Sequence, residues 1–191
     1  TISLLLHRGK AMQNAVPNGE GGMLAVLGTE INQIKSIIEE NSNKFNCYIA
    51  NDNSNGQTVI SGKVNSLDNF GNELKKRGVK FVRLPVSAPF HCNLMKSATE
   101  NMREEINNLD IKELKNPIIS NYSAKPSMNG NDIKKLLILQ IEGRVRWLES
   151  VEFMINQGTK NFIEIGPGKV LSGLVKRINK NINIVSINSE D

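Results

Sequence analysis

"GMLAVLGTEINQIKSIIEENSN" (residues 22–43) changes its hydrophobic period midway, and that change decides the fold. The first seven residues form a short apolar run bounded by glycines, which reads as a strand. Behind Thr29, a candidate cap, Ile31, Ile34, Ile37 and Ile38 recur at helical spacing. Next come two strand-like runs, "FNCYIAND" (45–52) and "QTVISG" (57–62), separated by the turn-rich "NDNSNG" (51–56). "NSLDNFGNELKKRG" (65–78) has Leu67, Phe70 and Leu74 on one helical face and Gly78 to end it, and "VKFVRLPV" (79–86) closes the set as a strand. The order β-α-β-β-α-β over residues 22–86 is the pattern of a ferredoxin-like module.

Outside that stretch the chain is again helical and strand-like by turns. "TISLLLHRGKAMQNA" (1–15) is in helical period, and a helix is expected over 93–108. A strand "PIISNYS" (117–123), helices in "NDIKKLLILQI" (131–141) and "RWLESVEFMINQG" (146–158), a strand "NFIEIG" (161–166), a helix "KVLSGLVKRINK" (169–180) and a strand "INIVSI" (182–187) follow. Alternation of this kind predicts an α/β fold: a mainly parallel sheet core, residues 1–21 and 87–191, interrupted by the small insert 22–86.

Composition narrows the class. Twenty-four Lys and Arg against 19 Asp and Glu give +5, which favours anionic partners, but only 5% of residues are aromatic and no long basic run points to nucleic acid. No apolar stretch approaches a membrane span, and no signal segment opens the chain. Two cysteines, Cys47 and Cys92, lack metal-ligand spacing and fit a reducing cytoplasm, so no metal is expected. The first residue is not Met and already lies in helical period, so a longer parent domain is expected.

Few residues carry chemistry. His91, in "SAPFHCNLM" (87–95), sits where the insert returns to the core, a place from which a loop can present a side chain to a cleft. Its neighbour Cys92 is a poor partner, because adjacent side chains diverge on a helix. Arg8, beside Gly9 and His7, has room to grip a carboxylate with two parallel hydrogen bonds, although a solvated helix arginine gives the same sequence. "EIGPGKVLSGL" (164–174) places a Gly-Pro-Gly turn before a helix, where backbone N–H groups favour anions, but its spacing is not that of a phosphate loop. No serine lies in a G-x-S-x-G elbow. Gln140 and Trp147 show no chemistry of their own.

Taken in order, "HRGKAMQNAVP" (7–17), "NSNGQTVISG" (53–62), "LPVSAPFHCNLMK" (84–96), "LQIEGRVRWLESVEFM" (139–154) and "NFIEIGPGKVLSGLVKRI" (161–178) resemble the bacterial malonyl-CoA:acyl carrier protein transacylases, members of the acyltransferase domain family. The resemblance implies an α/β-hydrolase-like core with a ferredoxin-like insert. It also implies transfer of malonyl from malonyl-CoA to the phosphopantetheine thiol of acyl carrier protein in fatty acid synthesis, without a cofactor, by a cytoplasmic enzyme that is monomeric in its full-length form. Under it, His91 is the general base, the main-chain carbonyl of Gln140 orients that base, and Arg8 holds the malonyl carboxylate. Phe90, Met12 and Asn53 are the further expected substrate contacts, Phe90 by excluding an α-methyl group. Lys169, Lys176 and Arg177 are candidates to meet an acidic carrier protein or CoA phosphates. The family's G-H-S-x-G serine and its oxyanion-hole segment are expected before Thr1, so this chain alone is expected not to form an acyl-enzyme. A polyketide-type acyltransferase, a thioester hydrolase and a non-catalytic carrier-binding module are the alternatives.

Overall fold

The computed structural model describes residues 2–40 and 44–188. Its best-defined layer is a four-stranded antiparallel sheet built from β1 (Gly21–Leu27), β2 (Cys47–Ser54), β3 (Gln57–Lys63) and β4 (Lys80–Arg83), in the order β2-β3-β1-β4. With α2 (Ile31–Glu40) and α3 (Val64–Lys76) on one face, this is the ferredoxin-like arrangement expected from the sequence. Alternation along β1 sets the two faces. Leu24 and Val26 pack with Ile34, Ile37, Leu67, Phe70 and Leu74 beneath the helices, while Met23 and Ala25 join Ala50 and Val59 on the opposite face. Gly78, at φ 69°, ends α3, and the Val79 N–H returns to the Leu74 carbonyl.

The second layer is mostly helical. α1 (Ile2–Gln13), α4 (Lys96–Asn107) and α5 (Gly130–Glu142) share a core of Met12, Met95, Ala98, Met102, Ile106, Ile138 and Ile141. A smaller cluster joins α6 (Trp147–Asn156) and α7 (Val170–Ile178) to the parallel pair β7 (Asn161–Ile165) and β8 (Asn183–Ile187). The chain is thus α/β.

Three local readings change. "PIISNYS" forms only a two-residue strand, β5 (Ile118–Ile119), which pairs antiparallel with β6 (Pro126–Ser127) in a tight hairpin instead of joining a parallel sheet. The turn expected over 51–56 shrinks to Asn55 and Gly56, because β2 runs on through Ser54 with irregularities between Ile49 and Asn51 and between Asp52 and Ser54. Tertiary hydrogen bonds extend it: the Asp52 N–H donates to Val145 O, and the Val145 N–H donates to Ala50 O. Finally, the helix expected from 93 begins with a single 3₁₀ turn, Asn93–Met95.

The two layers meet at the segment before His91. Pro89 lies so close to Gly21 that a Cβ there would fall 2.3 Å from Pro89 Cδ. The Ser61 hydroxyl donates to Phe90 O at 2.5 Å, and the Phe90 ring packs against both Met23, Ala25, Ala50 and Val59 and the α1–α4–α5 core. Gly21→Ala should therefore lower unfolding free energy by about 1–3 kcal/mol through overpacking. Urea denaturation checks this, and an unchanged midpoint would contradict it.

Candidate active site

His91 is held in the left-handed region, at φ 58°, an uncommon backbone state for a residue with a Cβ. Its neighbours impose it. Ala88 is fully buried, Pro89 is pressed on Gly21, the Phe90 carbonyl is bound by Ser61, and the Cys92 thiol donates to Pro89 O at 3.0 Å. Strain of this kind costs of order 1–3 kcal/mol and persists only where the surroundings over-determine it.

The imidazole Nδ1 lies 3.0 Å from the main-chain oxygen of Gln140. A carbonyl can only accept, so Nδ1 carries the hydrogen, and in the neutral ring the free lone pair belongs to Nε2. The ring is thus set as a base. Gln140 O is available because α5 stops at Glu142: Gly143 turns to an extended conformation (φ −83°, ψ 146°), and Val145 N–H and Arg146 N–H bond to Ala50 O and Asn121 O instead of continuing the helix.

A cleft of about 450 Å³ opens beside this pair, and Arg8, Asn51, Asn53, His91, Asn121 and Gln140 supply its polar wall. Leu171 and Leu174 of α7, together with Trp147, supply part of its apolar wall. Arg8 is half-buried, and among the described residues no carboxylate pairs with it. Burial depresses its pKa, yet a guanidinium stays charged near neutral pH. The cleft therefore holds one fixed cation, one neutral imidazole and four amide residues, a set suited to an anionic substrate that also needs a proton moved.

Of the residues singled out from sequence, Arg8, Asn53, His91 and Gln140 come together in this cleft. Met12 and Phe90 do not line it. Met12 lies one helical turn beyond Arg8 on the same face, but there α1 is covered by α4 and α5, and Met12 is 4% exposed. Phe90 is a plug between the layers, so its ring is spent on packing and not on the cleft wall. The Gly-Pro-Gly turn is also not an open anion site. The Leu171 and Ser172 N–H groups at the start of α7 are taken by the Glu164 carboxylate at 3.0 and 2.8 Å, and the Ser172 hydroxyl joins them at 2.5 Å. These bonds, led by that of the Ser172 hydroxyl, hold the Glu164 carboxyl below its ordinary value. All three basic candidates are exposed, but Lys176 is engaged at the C-terminal end of α7 by Ile182 O and Arg177 by Gln57.

Asn51 and Asn121 are cleft residues that sequence reasoning missed. Asn51 had a signal, since it stands two residues from Asn53 and strand period puts both on one face. Asn121 had none, because only the tight β5–β6 hairpin brings it there. Among the described residues no group of three or more His, Cys, Asp and Glu side chains is arranged to hold a metal, and no helix is long and apolar enough to cross a membrane. Burial pushes the Cys92 thiol up to about 11, so it stays protonated beside His91.

The cleft thus sets a base fixed through a backbone carbonyl across from a cation on an α/β scaffold, with no Ser, Thr or Cys among the residues lining it. Residues 1–187 match the acyl transferase domain family, and the chain belongs to that family. It is 41% identical over 186 residues to the malonyl CoA-acyl carrier protein transacylase of Bacillus subtilis (strain 168), covering 96% of this chain and 59% of that protein. Against the Escherichia coli (strain K12) transacylase it is 37% identical over 188 residues, covering 98% and 61%. The crystal structure of the Clostridium perfringens transacylase superposes with a TM-score of 0.94 at 40% identity, covering 98% of this chain and 60% of that one. A malonyl-transacylase solved in complex with a type II PKS acyl-carrier protein gives 0.93 at 35% identity, over 98% and 61%. The chain thus spans about three fifths of the length of these relatives.

Burial holds the His91 imidazole below its ordinary value of 6.5; the bond to Gln140 pushes it up, and the Arg8 charge adds to the lowering. The unfolded chain then takes up the proton first as pH falls, so the group costs stability only below about 6.5. A histidine NMR titration should show a His91 midpoint below 6.5, raised in Arg8→Gln. A midpoint at or above 6.5 in the unsubstituted chain would contradict this account.

Proposed function

We propose that this chain is the base-bearing portion of a transacylase that moves malonyl from malonyl-CoA to the phosphopantetheine thiol of acyl carrier protein, in fatty acid synthesis. The observation that carries the reading is that an Nδ1-anchored His91 shares one cleft with Arg8, which no carboxylate pairs with among the described residues. A serine from a further segment attacks the thioester carbonyl and gives its proton to His91 Nε2. The tetrahedral adduct collapses, the C–S bond breaks, and His91 returns the proton to the departing CoA thiolate. The carrier thiol then passes its proton to His91, attacks the acyl-serine ester, and the serine recovers a proton as it leaves. Arg8 holds the free carboxylate throughout, which disfavours acyl groups that leave the guanidinium unpaired.

Surface chemistry supports a working unit larger than the described residues. Parallel strands are normally covered on both faces. On β7 and β8, Phe162 and Ile184 pack inward, whereas Ile163, Ile165, Val185 and Ile187 are exposed, Ile165 at 80%. A segment that covers this face and carries the nucleophile accounts for both the apolar patch and the missing serine in the cleft. The same reading divides the chain into core segments 1–21 and 87–191 around the insert 22–86. It assigns substrate contact to Arg8 and Asn53, with Met12 and Phe90 acting through packing. It describes a cytoplasmic, monomeric parent that needs no cofactor, because every proton moves between serine, imidazole and thiol. Lys169, exposed and outside the bonds that engage Lys176 and Arg177, is the basic residue offered to an acidic carrier.

Arg8→Ala in the transacylase carrying this chain tests the reading. Removing one partner of a charge pair costs about 2–5 kcal/mol, roughly 30- to 4,000-fold in kcat/KM for malonyl-CoA, with acetyl-CoA spared. Malonyl transfer undiminished relative to acetyl transfer would sink the assignment.

A further inference from the structure

Gln140 O can accept from His91 only because α5 ends where it does, so whatever ends the helix acts on the base. An unbroken helix would offer the Arg144 N–H to Gln140 O. The last helical bond is instead the one before it, from the Gly143 N–H to Leu139 O at 2.9 Å, after which the chain leaves for β2, where Val145 pairs beside Asn51. Gly143 is not in the left-handed region, so its need for glycine is one of space. A Cβ there would lie 2.3 and 2.4 Å from Tyr122 Cδ2 and Cε2, and 2.7 Å from Leu139 O. The Tyr122 ring lies where a side chain at 143 would stand. Tyr122 is itself held in the tight turn of the β5–β6 hairpin: its N–H bonds Ser120 Oγ, the Ala124 N–H returns to Ser120 O, and Arg146 clamps the turn through Asn121 O and Ser123 O.

We infer that Gly143 and Tyr122 are positioning residues for His91: the ring packed on the bare backbone fixes the end of α5, which leaves the Gln140 carbonyl facing Nδ1. Neither residue lines the cleft or touches the reacting atoms. They act through one carbonyl oxygen. The consequence for the reaction rests on the acyl-transfer reading, but the geometric claim does not.

The chain has two histidines, and His7 lies against Glu105 on the surface, so ¹⁵N-histidine spectra of the 191-residue chain are assignable with His91→Asn. The unsubstituted chain should show neutral His91 as the Nδ1–H tautomer. Gly143→Ala should lose that bias and lower the His91 midpoint, because the bond to Gln140 raises it. Gly143→Ala/Tyr122→Val, which takes away the ring edge and leaves only the 2.7 Å approach to Leu139 O, should restore both in large part. In the transacylase, Gly143→Ala should lower kcat on the order of 10- to 100-fold, with KM for malonyl-CoA little changed because Arg8 is untouched. An unaltered tautomer and midpoint in Gly143→Ala, or a double variant no better than the single, overturns the proposal. If the single variant does not fold, a folded double variant with the Nδ1–H tautomer supports it, and a double variant that is unfolded or lacks that tautomer overturns it. A normal tautomer in a transacylase that transfers no malonyl refutes the function and leaves the positioning intact.

Discussion

The 3.0 Å hydrogen bond from His91 Nδ1 to the carbonyl of Gln140 is the contact around which the other features arrange themselves. It joins a strained loop residue to the open end of a helix, two elements 49 positions apart in the chain. In many acyl-transfer sites a carboxylate holds the base, and it both orients the imidazole and stabilises its charged form. A carbonyl dipole orients the ring equally well but stabilises the cation far less. Burial and the nearby Arg8 therefore keep His91 neutral, and the resting state is the one able to take a proton.

That choice has a structural cost, met by packing. Left-handed backbone at His91 requires its flanking residues to be immovable, and they are: Pro89 sits on Gly21, Phe90 bridges the two layers, and Met95 is fully buried at the start of the helical segment. The ferredoxin-like sheet is thus more than an appendage. Its inner face carries Phe90, and its β2 strand both presents Asn51 and Asn53 and draws Val145 out of helical register.

Electrostatics divide the labour in the cleft. Arg8 is a fixed cation with no carboxylate among the described residues to neutralise it, whereas Arg144 and Arg146 are both bound to Glu149 just outside. The contrast matters because a guanidinium already paired has little left to offer an anion. The N-terminus of α7 repeats the lesson: its Leu171 and Ser172 N–H groups are satisfied by Glu164, so the protein's own carboxylate occupies the position that the Gly-Pro-Gly turn made attractive for a ligand.

Much of this was legible in residue order. The switch of period after Gly28, the isoleucines of α2 and the Leu67–Phe70–Leu74 face are local patterns, and local patterns were enough to specify the ferredoxin-like insert and the α/β class. Local context likewise pointed to His91 and offered Arg8, whereas Gln140 was implied only by the resemblance to the transacylases. What the sequence could not decide was anything set by a neighbour distant in the chain. Met12 read as a substrate contact until α4 covered it and Phe90 until its ring packed between the layers, and Asn53 read as turn until pairing with Val145 carried its strand on. Tyr122 and Gly143 are unremarkable letters whose meaning is a 2.3 Å exclusion. Hydrophobic period and side-chain chemistry belong to the chain itself, so the sequence alone determined the elements and the reactive groups. Which carbonyl is left open, and which ring stands against which backbone, depends on excluded volume between remote segments, and only the tertiary structure decided it.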